Sequence, residues 1–541
     1  MNILVSTMGK YLEVGSKLLE KLQTELRFDE IGFFVADSRY YKKLLKTNSF
    51  IQKNNVFLIK EWEYTGIPRN ATPDFELIKA YENKLGDPTL WNVLLCDRRV
   101  FFGRYCKSKQ DYRPRFGYHE QLLILEQALV SIKKAFKKVR PDVVLSFGTS
   151  VMGDYLIYLF AKSYGIPYLQ LKATKIENYL AFHDAPDAFS SFISQQYVSD
   201  NPIPKAFLEK AHSYLASVVK KGLKYEGAIL SERSRLLKRL TSAPINLFKN
   251  IPGAMKDYCD PVIRRDAHIP GKFRSALNYN IYQPLNAYYI SKHLRKHAKY
   301  IERNMLEKSD PFIFFPLHFE PEVSIQIFGR PYQNQIELIR NIALSVPVGR
   351  KVVVKEHPRS IGFRPYSYYQ KLLDIPNVFL IDPYIKAHQI IPYSQLVAVI
   401  SGSIGFEAAI MGKPVLSFGN AAYNILPETM VSHCSNLNQL GKQIKKLSDR
   451  YAYDEEALLR YAAIIMKESV PIDLYSAIIG KKHRNYDQKH LTKSERIDIG
   501  YLNLAQYCQR YFKKIGVVNT TEASVKNKEP SSSRAKVSYN G

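Results

Sequence analysis

The feature that most constrains the fold is a regular alternation of short apolar segments and helical segments in the second half of the chain. The apolar segments, rich in branched and aromatic residues, stand at 312–317, 351–355, 378–381, 396–401 and 414–418. Helical patterns fill the intervals at 334–344, after Pro365, at 386–393 and at 404–411. Short apolar strands joined by helices are typical of a parallel sheet covered on both faces. The pattern therefore predicts an α/β, doubly wound domain of the Rossmann type.

The first half of the chain shows the same alternation with longer intervals. Its strand candidates stand at 2–6, 31–35, 56–59, 142–147 and 167–171. Its helical patterns stand at 17–26, 121–138 and from about 150 to 162. Two such series predict two Rossmann-like halves that face each other across a central cleft.

Changes in composition set the predicted domain boundaries. One Rossmann-like domain is expected at 1–219 and the second at 306–480, with a basic, aromatic helical segment at 220–305 between them. Further helices are expected at 481–523. Residues 524–541 are mostly small and polar, which predicts a disordered tail.

The segment 220–305 combines many basic residues with interleaved aromatic residues and few acids. Its basic residues include Arg233, Arg235, Lys238, Arg239, Lys249, Arg264, Arg265, Lys272, Arg274, Lys292, Arg295, Lys296, Lys299 and Arg303. Its aromatic residues include Phe248, Tyr258, Phe273, Tyr279, Tyr282, Tyr288, Tyr289 and Tyr300. Such a segment is either an ordinary solvated helical face or a surface that lies on anionic lipid headgroups.

The whole chain carries a formal net charge of +28. A field of this sign favours an anionic partner, which can be nucleic acid, an anionic membrane surface or a phosphorylated substrate. The basic residues do not follow a known nucleic-acid-binding module, so nucleic acid is not the expected partner.

Cysteine usage and the N-terminus indicate the compartment. The five cysteines, Cys96, Cys106, Cys259, Cys434 and Cys508, lie far apart and form no C-x-x-C pair. This argues against a zinc site or a disulfide framework and fits a reducing compartment. No basic region precedes an apolar core at the N-terminus, and no apolar run approaches the roughly 20 residues that span a bilayer. We expect a cytoplasmic protein that lies peripherally at the inner face of the plasma membrane.

Three strand ends in the second half carry residues suited to phosphate chemistry. The segment Lys355-Glu356-His357-Pro358-Arg359 can neutralise a diphosphate and protonate it as it leaves. The segment Ser401-Gly402-Ser403-Ile404-Gly405-Phe406-Glu407 opens a helix, where glycines, hydroxyls and the positive helix end favour a phosphate. The third segment is Pro316-Leu317-His318-Phe319-Glu320.

Each segment also has an ordinary interpretation. A histidine at a strand end is common loop chemistry, Ser-Gly-Ser before a helix is a common N-cap, and Glu407 can complement the helix dipole. The three segments follow successive strands of one series, however. Because ligands bind beyond the carboxyl ends of such strands, we expect them to converge on one crevice.

The stretch from 310 to 425 resembles the capsule polysaccharide biosynthesis family, which includes Kdo transferases that build linkers on lipid anchors. The resemblance lies in FIFFPLHFEPEVS, Q-N-Q, VVVKEHPRSIGFRP, NVFLIDP, VISGSIGFEAAIMGKPVLSFG and the later Tyr423. It implies a glycosyltransferase of the two-domain GT-B type, with the acceptor on the N-terminal domain and a nucleotide-sugar on the C-terminal one. It further implies that no metal and no cofactor is needed, with the nucleotide-sugar as co-substrate.

By this resemblance His357 contacts the donor phosphate, assisted by Lys355 and Arg359. The other donor-binding residues that it implies are Glu356, Pro358, Ser401, Gly402, Ser403 and Gly405, together with Glu407 at the ribose or the sugar. The chain departs from the capsule Kdo transferases in having no clear Q-x-x-x-D block, and from sialyltransferases in having no acidic-Asp-Gly motif. The donor sugar therefore stays open.

The catalytic base is expected from residues that face the cleft. Asp154, which follows the GTSVMG turn, and Glu320 are the catalytic candidates beside His357. Gly9, after the first strand, and His183 are acceptor-side candidates. Asp184 is a further candidate for the base on the N-terminal half, and Glu322 is a rival acid/base candidate on the C-terminal side, as is Glu320. Any of these is also a common helix cap or surface group.

The sequence therefore predicts an enzyme that transfers a sugar from a nucleotide-sugar to a surface polysaccharide or its lipid-linked acceptor, beside an anionic membrane surface. One alternative is a sugar-nucleotide epimerase or hydrolase of the same fold. A second alternative, from a different class, is a basic nucleic-acid-binding protein.

Overall fold

A computed structural model gives the structure of the protein. It describes residues 1–48, 50–64, 71–86, 89–97, 99–100, 116–148, 151–226, 236–261, 276–307, 310–320, 322–480 and 491–518. The predicted tail at 524–541 lies outside the described residues, as do Arg233, Arg235, Arg264, Arg265, Lys272, Phe273 and Arg274.

The strands form two seven-stranded sheets. In chain order the described strands are β1 (Ile3–Thr7), β2 (Ile31–Val35), β3 (Phe57–Lys60), β4 (Val143–Ser146), β5 (Tyr168–Ala173), β6 (Tyr179–His183), β7 (Tyr300–Ile301), β8 (Phe312–Pro316), β9 (Val352–Lys355), β10 (Val378–Ile381), β11 (Ser394–Val399), β12 (Val415–Ser417), β13 (Val431–His433) and β14 (Val470–Pro471).

The N-terminal sheet has the order β14-β6-β5-β4-β1-β2-β3, and the C-terminal sheet has the order β13-β12-β11-β8-β9-β10-β7. In each sheet the chain fills one side of the first central strand and then crosses to the other side. The strand order consequently reverses between β1 and β4 in one sheet and between β8 and β11 in the other. These two switch points are where ligands bind in open α/β sheets.

Helices cover both sheets. In chain order the described α-helices are α1 (Tyr11–Leu22), α2 (Ser38–Thr47), α3 (Phe50–Lys53), α4 (Phe75–Leu85), α5 (Trp91–Cys96), α6 (Tyr118–Val139), α7 (Met152–Ser163), α8 (Ser191–Val198), α9 (Lys205–Lys221), α10 (Leu236–Cys259), α11 (Gln283–Leu294), α12 (Val323–Gln326), α13 (Gln335–Ser345), α14 (Tyr366–Leu373), α15 (Ser403–Ile410), α16 (Leu440–Asp449), α17 (Glu455–Glu468) and α18 (Lys493–Lys514).

The predicted fold class is confirmed, because both halves are doubly wound and their central strands are buried on both faces. Two local predictions differ from the structure. The helix expected at 386–393 is two 3₁₀ turns, Ala387–Gln389 and Ile391–Tyr393. Pro392 lacks the N–H that would continue a helix there. Strand β6 runs antiparallel to β5, whereas the alternation predicted a parallel sheet.

The chain returns to its N-terminal half after α17. Strand β14 pairs with β6 of the N-terminal sheet, although residues 470–471 fall within the predicted C-terminal domain. Helix α18 packs on α1, and Leu504 and Phe512 join Leu18 and Leu19 in one buried cluster. The halves are thus tied together by the C-terminal segment as well as by the middle of the chain.

A helical pair lies between the halves and consists of α10, a π-helical turn at Asn278–Tyr282 and α11. These elements lie within the segment 220–305, whose described part also contains the short strand β7. Within the described residues no helix is both long and apolar enough to cross a membrane.

Candidate active site

The three strand ends singled out in the sequence meet at the switch point of the C-terminal sheet. A Cβ atom added to Gly402, after β11, would lie 3.0 Å from Cε1 of His318, after β8. The ring of Phe319 lies 5.8 Å from that of His357, after β9, and the guanidinium of Arg359 lies 5.0 Å from the Phe319 ring. The segments at 316–320, 355–359 and 401–403 therefore line one crevice, which we call the donor crevice.

His318 is the buried centre of the donor crevice. Its backbone is fixed by Gln335, whose Oε1 accepts from the His318 N–H at 2.8 Å and whose Nε2 donates to the His318 carbonyl at 3.2 Å. Burial and the nearby Arg364 lower the pKa of His318 to about 4, so the imidazole is neutral at pH 7. Among the described residues its Nε2 is buried and has no hydrogen-bond partner. A buried polar atom in this state is suited to a ligand.

His357 lies at the mouth of the crevice and is partly exposed. Its Nδ1 accepts from the Arg359 backbone N–H at 3.2 Å, which leaves Nε2 as the protonated nitrogen of the neutral ring. Burial, Lys355 and Arg359 lower the pKa of His357 to about 3. In the unliganded protein His357 is therefore a neutral hydrogen-bond donor.

A buried ion pair holds the loop that carries His357. Nη1 of Arg364 donates to both Glu356 oxygens at 2.6 and 2.5 Å, and Nη2 donates to the His318 carbonyl at 2.7 Å and to Glu320 at 3.2 Å. The Tyr369 hydroxyl donates to Glu356 at 2.9 Å. Burial alone would lower the pKa of Arg364, but Glu356 and the other neighbours raise it well above its usual range.

The ion-pair network of Arg364 includes two residues that the sequence indicated as site candidates. Glu356, expected at the donor, is occupied by Arg364 and Tyr369, and Glu320, expected in acid–base chemistry, binds Arg364 and accepts from Gln335. The geometry favours positioning roles for both. Arg364 itself was not singled out, although it stands in the GFRP stretch of the family resemblance. Pro358 follows His357 in the loop and is partly exposed.

Lys355 and Glu407 lie beneath the crevice. Burial lowers the pKa of Lys355 to about 8 in spite of Glu356, Asp382 and Glu407, so its ammonium is charged at pH 7. Burial raises the pKa of Glu407, whose Oε1 accepts from the Leu223 N–H at 2.9 Å. Glu407, expected at the ribose or the sugar, is thus partly engaged by the protein.

The segment 401–405 forms the start of α15. The Ser401 hydroxyl donates to the Ser324 carbonyl at 2.8 Å, which anchors the loop. Gly402 precedes the helix, and its carbonyl accepts from the Tyr423 hydroxyl at 2.7 Å. A Cβ atom at Gly405 would lie 2.2 Å from that hydroxyl, so glycine is required there. The Ser403 hydroxyl and the N–H groups of the first turn of α15 are therefore the groups of this segment that can bind a phosphate.

The N-terminal half reaches the start of α15 through two residues that the sequence did not single out. The Tyr225 hydroxyl lies 3.4 Å from the Ser403 hydroxyl, and Nζ of Lys175 lies 4.7 Å from the Tyr225 ring centroid. Lys175 and Glu177 have φ values of 71° and 42°, in a turn between β5 and β6. Positive φ angles are usually adopted by glycine. Because Lys175 and Glu177 adopt them here, the sequence contains no glycine that would have indicated this turn.

Asp154 lies at the switch point of the N-terminal sheet, on the first turn of α7. One oxygen accepts from the hydroxyls of Ser6 and Ser146, and the other accepts from Tyr168 at 3.1 Å and Gln170 at 3.3 Å. Burial raises the pKa of Asp154. Four donors on one buried carboxylate favour a structural role over the catalytic role considered from the sequence.

His183 is at the end of β6, beside the junction of the two halves. Its Nδ1 lies 2.9 Å from the Ala188 carbonyl and must donate to it, so the buried Nε2 keeps its lone pair. That Nε2 has no hydrogen-bond partner among the described residues. Burial, Lys172 and Lys175 lower the pKa of His183 to about 3.

Lys172, which the sequence analysis missed, connects His183 to the C-terminal half. Its Nζ donates to the Pro186 carbonyl at 2.7 Å and lies 4.9 Å from the ring centroid of Phe328. Burial lowers the pKa of Lys172 to about 7. Gly9, the other acceptor-side candidate, adopts a φ of 59° after β1 and packs against Tyr40.

No group of three or more histidine, cysteine, aspartate or glutamate side chains is arranged to hold a metal ion within the described ranges. The cations of the donor crevice come from the protein itself, as Lys355, Arg359 and Arg364. Metal independence stays a prediction of the sequence.

Three solved structures resemble this chain distantly. The Thermosulfurimonas dismutans KpsC beta Kdo 2,7 transferase is 15% identical, with 69% of this chain and 89% of that chain covered and a TM-score of 0.36. The beta Kdo 2,4 transferase of the same KpsC is 12% identical, with 60% and 79% covered and a TM-score of 0.33. The UDP-GlcNAc 2-epimerase of Methanocaldococcus jannaschii is 13% identical, with 86% and 99% covered and a TM-score of 0.25. Scores this low do not discriminate between activities.

No curated protein sequence matches the chain significantly. Residues 267–456, however, match the profile of the family described as capsule polysaccharide biosynthesis protein. This stretch contains β7 to β13, and so the whole C-terminal sheet and the donor crevice. The match confirms the resemblance stated from the sequence, and it covers most of the C-terminal half of the chain.

Proposed function

We propose that the protein is a GT-B-type glycosyltransferase that moves a sugar from a nucleotide-sugar to a capsular-type polysaccharide or its lipid-linked acceptor. One observation carries the proposal. His318, His357 and the start of α15 converge at the switch point of the C-terminal sheet, and His318 there keeps a buried Nε2 without a partner among the described residues. A crevice with this chemistry suits the phosphate of a nucleotide-sugar.

In the reaction the acceptor hydroxyl oxygen bonds to the anomeric carbon of the donor sugar. The bond from that carbon to the phosphate oxygen breaks, and its electron pair leaves with the nucleotide. The negative charge that develops on the phosphate is stabilised by donors fixed before the reaction, which are the first-turn N–H groups of α15 and the Nε2–H of His357. The Ser403 hydroxyl binds the phosphate equally in the bound donor and in the transition state, so it contributes to donor affinity. The side chains of Arg359 and Lys355 supply positive charge nearby.

The hydroxyl proton needs a base on the acceptor side. Asp154, Glu320 and His183 are the sequence candidates, and the hydrogen bonds of the first two are directed to framework groups. His183 is the candidate whose tautomer leaves a lone pair on Nε2. We assign it the base, and expect its low pKa to rise once an anionic donor offsets the charge of Lys172.

The proposal includes metal independence and action beside an anionic membrane surface. Protein cations and a helix N-terminus replace the metal in this account, so EDTA should leave transfer unchanged. A loss of transfer that Mg²⁺ or Mn²⁺ restores would contradict it. The acceptor is lipid-linked in this account, which requires the enzyme to work at a bilayer.

A screen of the full chain against UDP-, GDP-, CMP- and dTDP-sugars tests the function, with thermal shift for binding and nucleotide release for turnover. We expect one donor to raise Tm and to release nucleotide in a reaction that a glycan acceptor accelerates. His357→Ala should lower turnover about 10²- to 10³-fold, as for loss of one transition-state donor, and keep the Tm of the unliganded protein.

His212→Ala is the matched control, because His212 is exposed on α9 and distant in sequence from the crevice. It should behave as the unsubstituted protein. Near-normal turnover of His357→Ala would refute the role of His357. A bound donor that is epimerised or hydrolysed without any effect of glycan acceptors would favour the epimerase or hydrolase alternative.

A further inference from the structure

Helix α10 exposes an apolar stripe to solvent. Its large exposed side chains recur every three or four residues and so share one helical face: Ile245, Phe248, Ile251, Met255 and Tyr258. Phe248 is 71% exposed and Met255 is 64% exposed. At 1.5 Å per residue the stripe is about 20 Å long. An extended exposed stripe of this kind marks an interaction surface.

The rest of the helical pair continues this surface. The large exposed apolar and aromatic side chains of the π-helical turn and α11 are Tyr279, Tyr282, Leu285, Tyr288 and Tyr289. The two helices contact each other, and Nδ2 of Asn246 donates to Oδ1 of Asn280 at 3.2 Å. We call the solvent side of the helical pair the docking face.

Positive charge surrounds the apolar side chains. Exposed basic residues of the docking face are Lys249, Lys256 and Lys292, and Lys296 follows just after α11. In the described part of the helical pair the acidic residues are Asp257 and Asp260, and both are turned to the protein. Asp257 pairs with Arg39 at 2.7 Å, and Asp260 pairs with Lys42, both on α2. The docking face is thus apolar and cationic.

The inner side of the helical pair is fixed to both halves of the protein. The ion pairs to α2 hold the end of α10 on the N-terminal half. Nε2 of Gln283 donates to the Ile361 carbonyl at 2.5 Å, and Nδ2 of Asn286 donates to the Gly362 carbonyl at 2.9 Å. These carbonyls belong to the loop that carries Arg364, so the docking face is held beside the donor crevice.

We propose that the docking face binds the surface of a bilayer that contains anionic phospholipid. The apolar stripe enters the headgroup region, the tyrosines lie at the interface, and the lysines near the anionic surface are attracted to the lipid headgroups. The inference deepens the proposed function and rests on it, because it brings the donor crevice to a lipid-linked acceptor. Aliphatic Ile245 and Met255 would have no role in stacking on nucleic-acid bases, which favours lipid.

Flotation of the full chain with vesicles tests the inference. Vesicles of phosphatidylcholine with phosphatidylglycerol should carry the protein, and vesicles of phosphatidylcholine alone should carry much less. Phe248→Glu/Met255→Glu should lower partitioning at least about tenfold, since two apolar contacts become like-charged with the surface. The matched control is Leu344→Glu/Val348→Glu, which changes two exposed apolar residues away from the docking face and should float normally.

Three results would overturn the inference. Equal flotation of the two double variants would remove the docking face as the contact. Failure of the unsubstituted protein to float, with a dimer in light scattering that Phe248→Glu/Met255→Glu abolishes, would make the occupant a second copy. If the unsubstituted protein fails to float but binds an oligonucleotide, and Phe248→Glu/Met255→Glu abolishes that binding, the partner of the docking face is nucleic acid. Donor turnover with a soluble acceptor should be unchanged in the variant, which separates failure of docking from failure of the proposed function.

Discussion

The two switch points occupy the same position in their sheets, but the buried polar groups at the two places differ in their hydrogen bonding. At the N-terminal switch point, Ser6, Ser146, Tyr168 and Gln170 all donate to Asp154, and the carboxylate is closed within the protein. At the C-terminal switch point, His318 keeps a buried Nε2 that has no partner among the described residues. Oε1 of Gln170 is also buried without a partner among the described residues, so the contrast lies in the two central groups. Both oxygens of Asp154 accept hydrogen bonds and stabilise the fold, whereas Nε2 of His318 is left for a ligand.

The C-terminal crevice also contains a buried ion-pair network behind the ligand groups, in which both Nη atoms of Arg364 donate hydrogen bonds. Arg364 joins Glu356 to the His318 carbonyl, so one buried cation fixes two of the three strand ends. The comparison therefore separates residues that face the donor, such as His357 and Ser403, from residues that position them.

The largest effect is expected from Arg364→Ala. Removal of this fully buried guanidinium leaves Glu356 and Glu320 without their cation, which costs about 3–5 kcal/mol when a buried pair is broken. Urea unfolding measures it. Arg340→Ala, which breaks the exposed pair of Arg340 with Glu337, is the control and should cost less than about 1 kcal/mol. Equal effects of the two substitutions would show that Arg364 is not the framework cation.

Asp154→Asn tests the N-terminal side of the comparison. The amide has one nitrogen that cannot accept the hydrogen bonds made to the carboxylate, so the free energy of unfolding should fall by about 1–3 kcal/mol. Turnover per folded molecule should be retained. A drop of about 10²-fold or more with unchanged stability would instead make Asp154 a general base, as the sequence allowed.

His318→Gln tests the buried imidazole through pH. The pKa of His318 is about 4 in the folded protein and ordinarily 6.5, so between pH 6.5 and pH 4 the unfolded chain takes up a proton that the folded protein does not. The free energy of unfolding therefore falls as the pH drops through this window. Between pH 7.5 and pH 5 the fall should be smaller in the variant by about 2 kcal/mol. An equal fall in the variant would contradict the burial of an unprotonated His318, and His212→Gln serves as the exposed control.

The smallest effect is expected from Ser403→Ala. Loss of one hydroxyl contact to phosphate should raise the KM for the donor about fivefold, or about 1 kcal/mol, with kcat little changed. Ser401→Ala should instead lower stability slightly, because the Ser401 hydroxyl anchors the loop to Ser324. An unchanged donor KM in Ser403→Ala would show that Ser403 only begins helix α15 and does not contact the phosphate.

Local patterns predicted much of the fold because apolar runs such as 312–317 and 351–355 form buried strands wherever they lie in such a series. The patterns could not show that β6 reverses direction, since the turn at Lys175 and Glu177 lacks the usual glycine. They also could not show that Val470–Pro471 joins the N-terminal sheet, because a two-residue strand carries no periodicity.

The donor crevice was predicted in part for a related reason. His357 and the 401–403 segment stand at strand ends, which sequence order reveals. Arg364 and Gln335 act through contacts with residues far along the chain, and no local pattern encodes such contacts. His318 stood in a segment that was singled out, but only the fold shows that it lies against Gly402.

Hydrogen–deuterium exchange with and without the nucleotide-sugar selected by the screen tests the central claim most directly. If the C-terminal switch point binds the donor phosphate, the amides of Glu356, His357, Arg359 and 401–405 should exchange more slowly with donor, and those of 146–148 and 151–154 should not change. Protection at the N-terminal switch point, with 401–405 unchanged, would contradict the account.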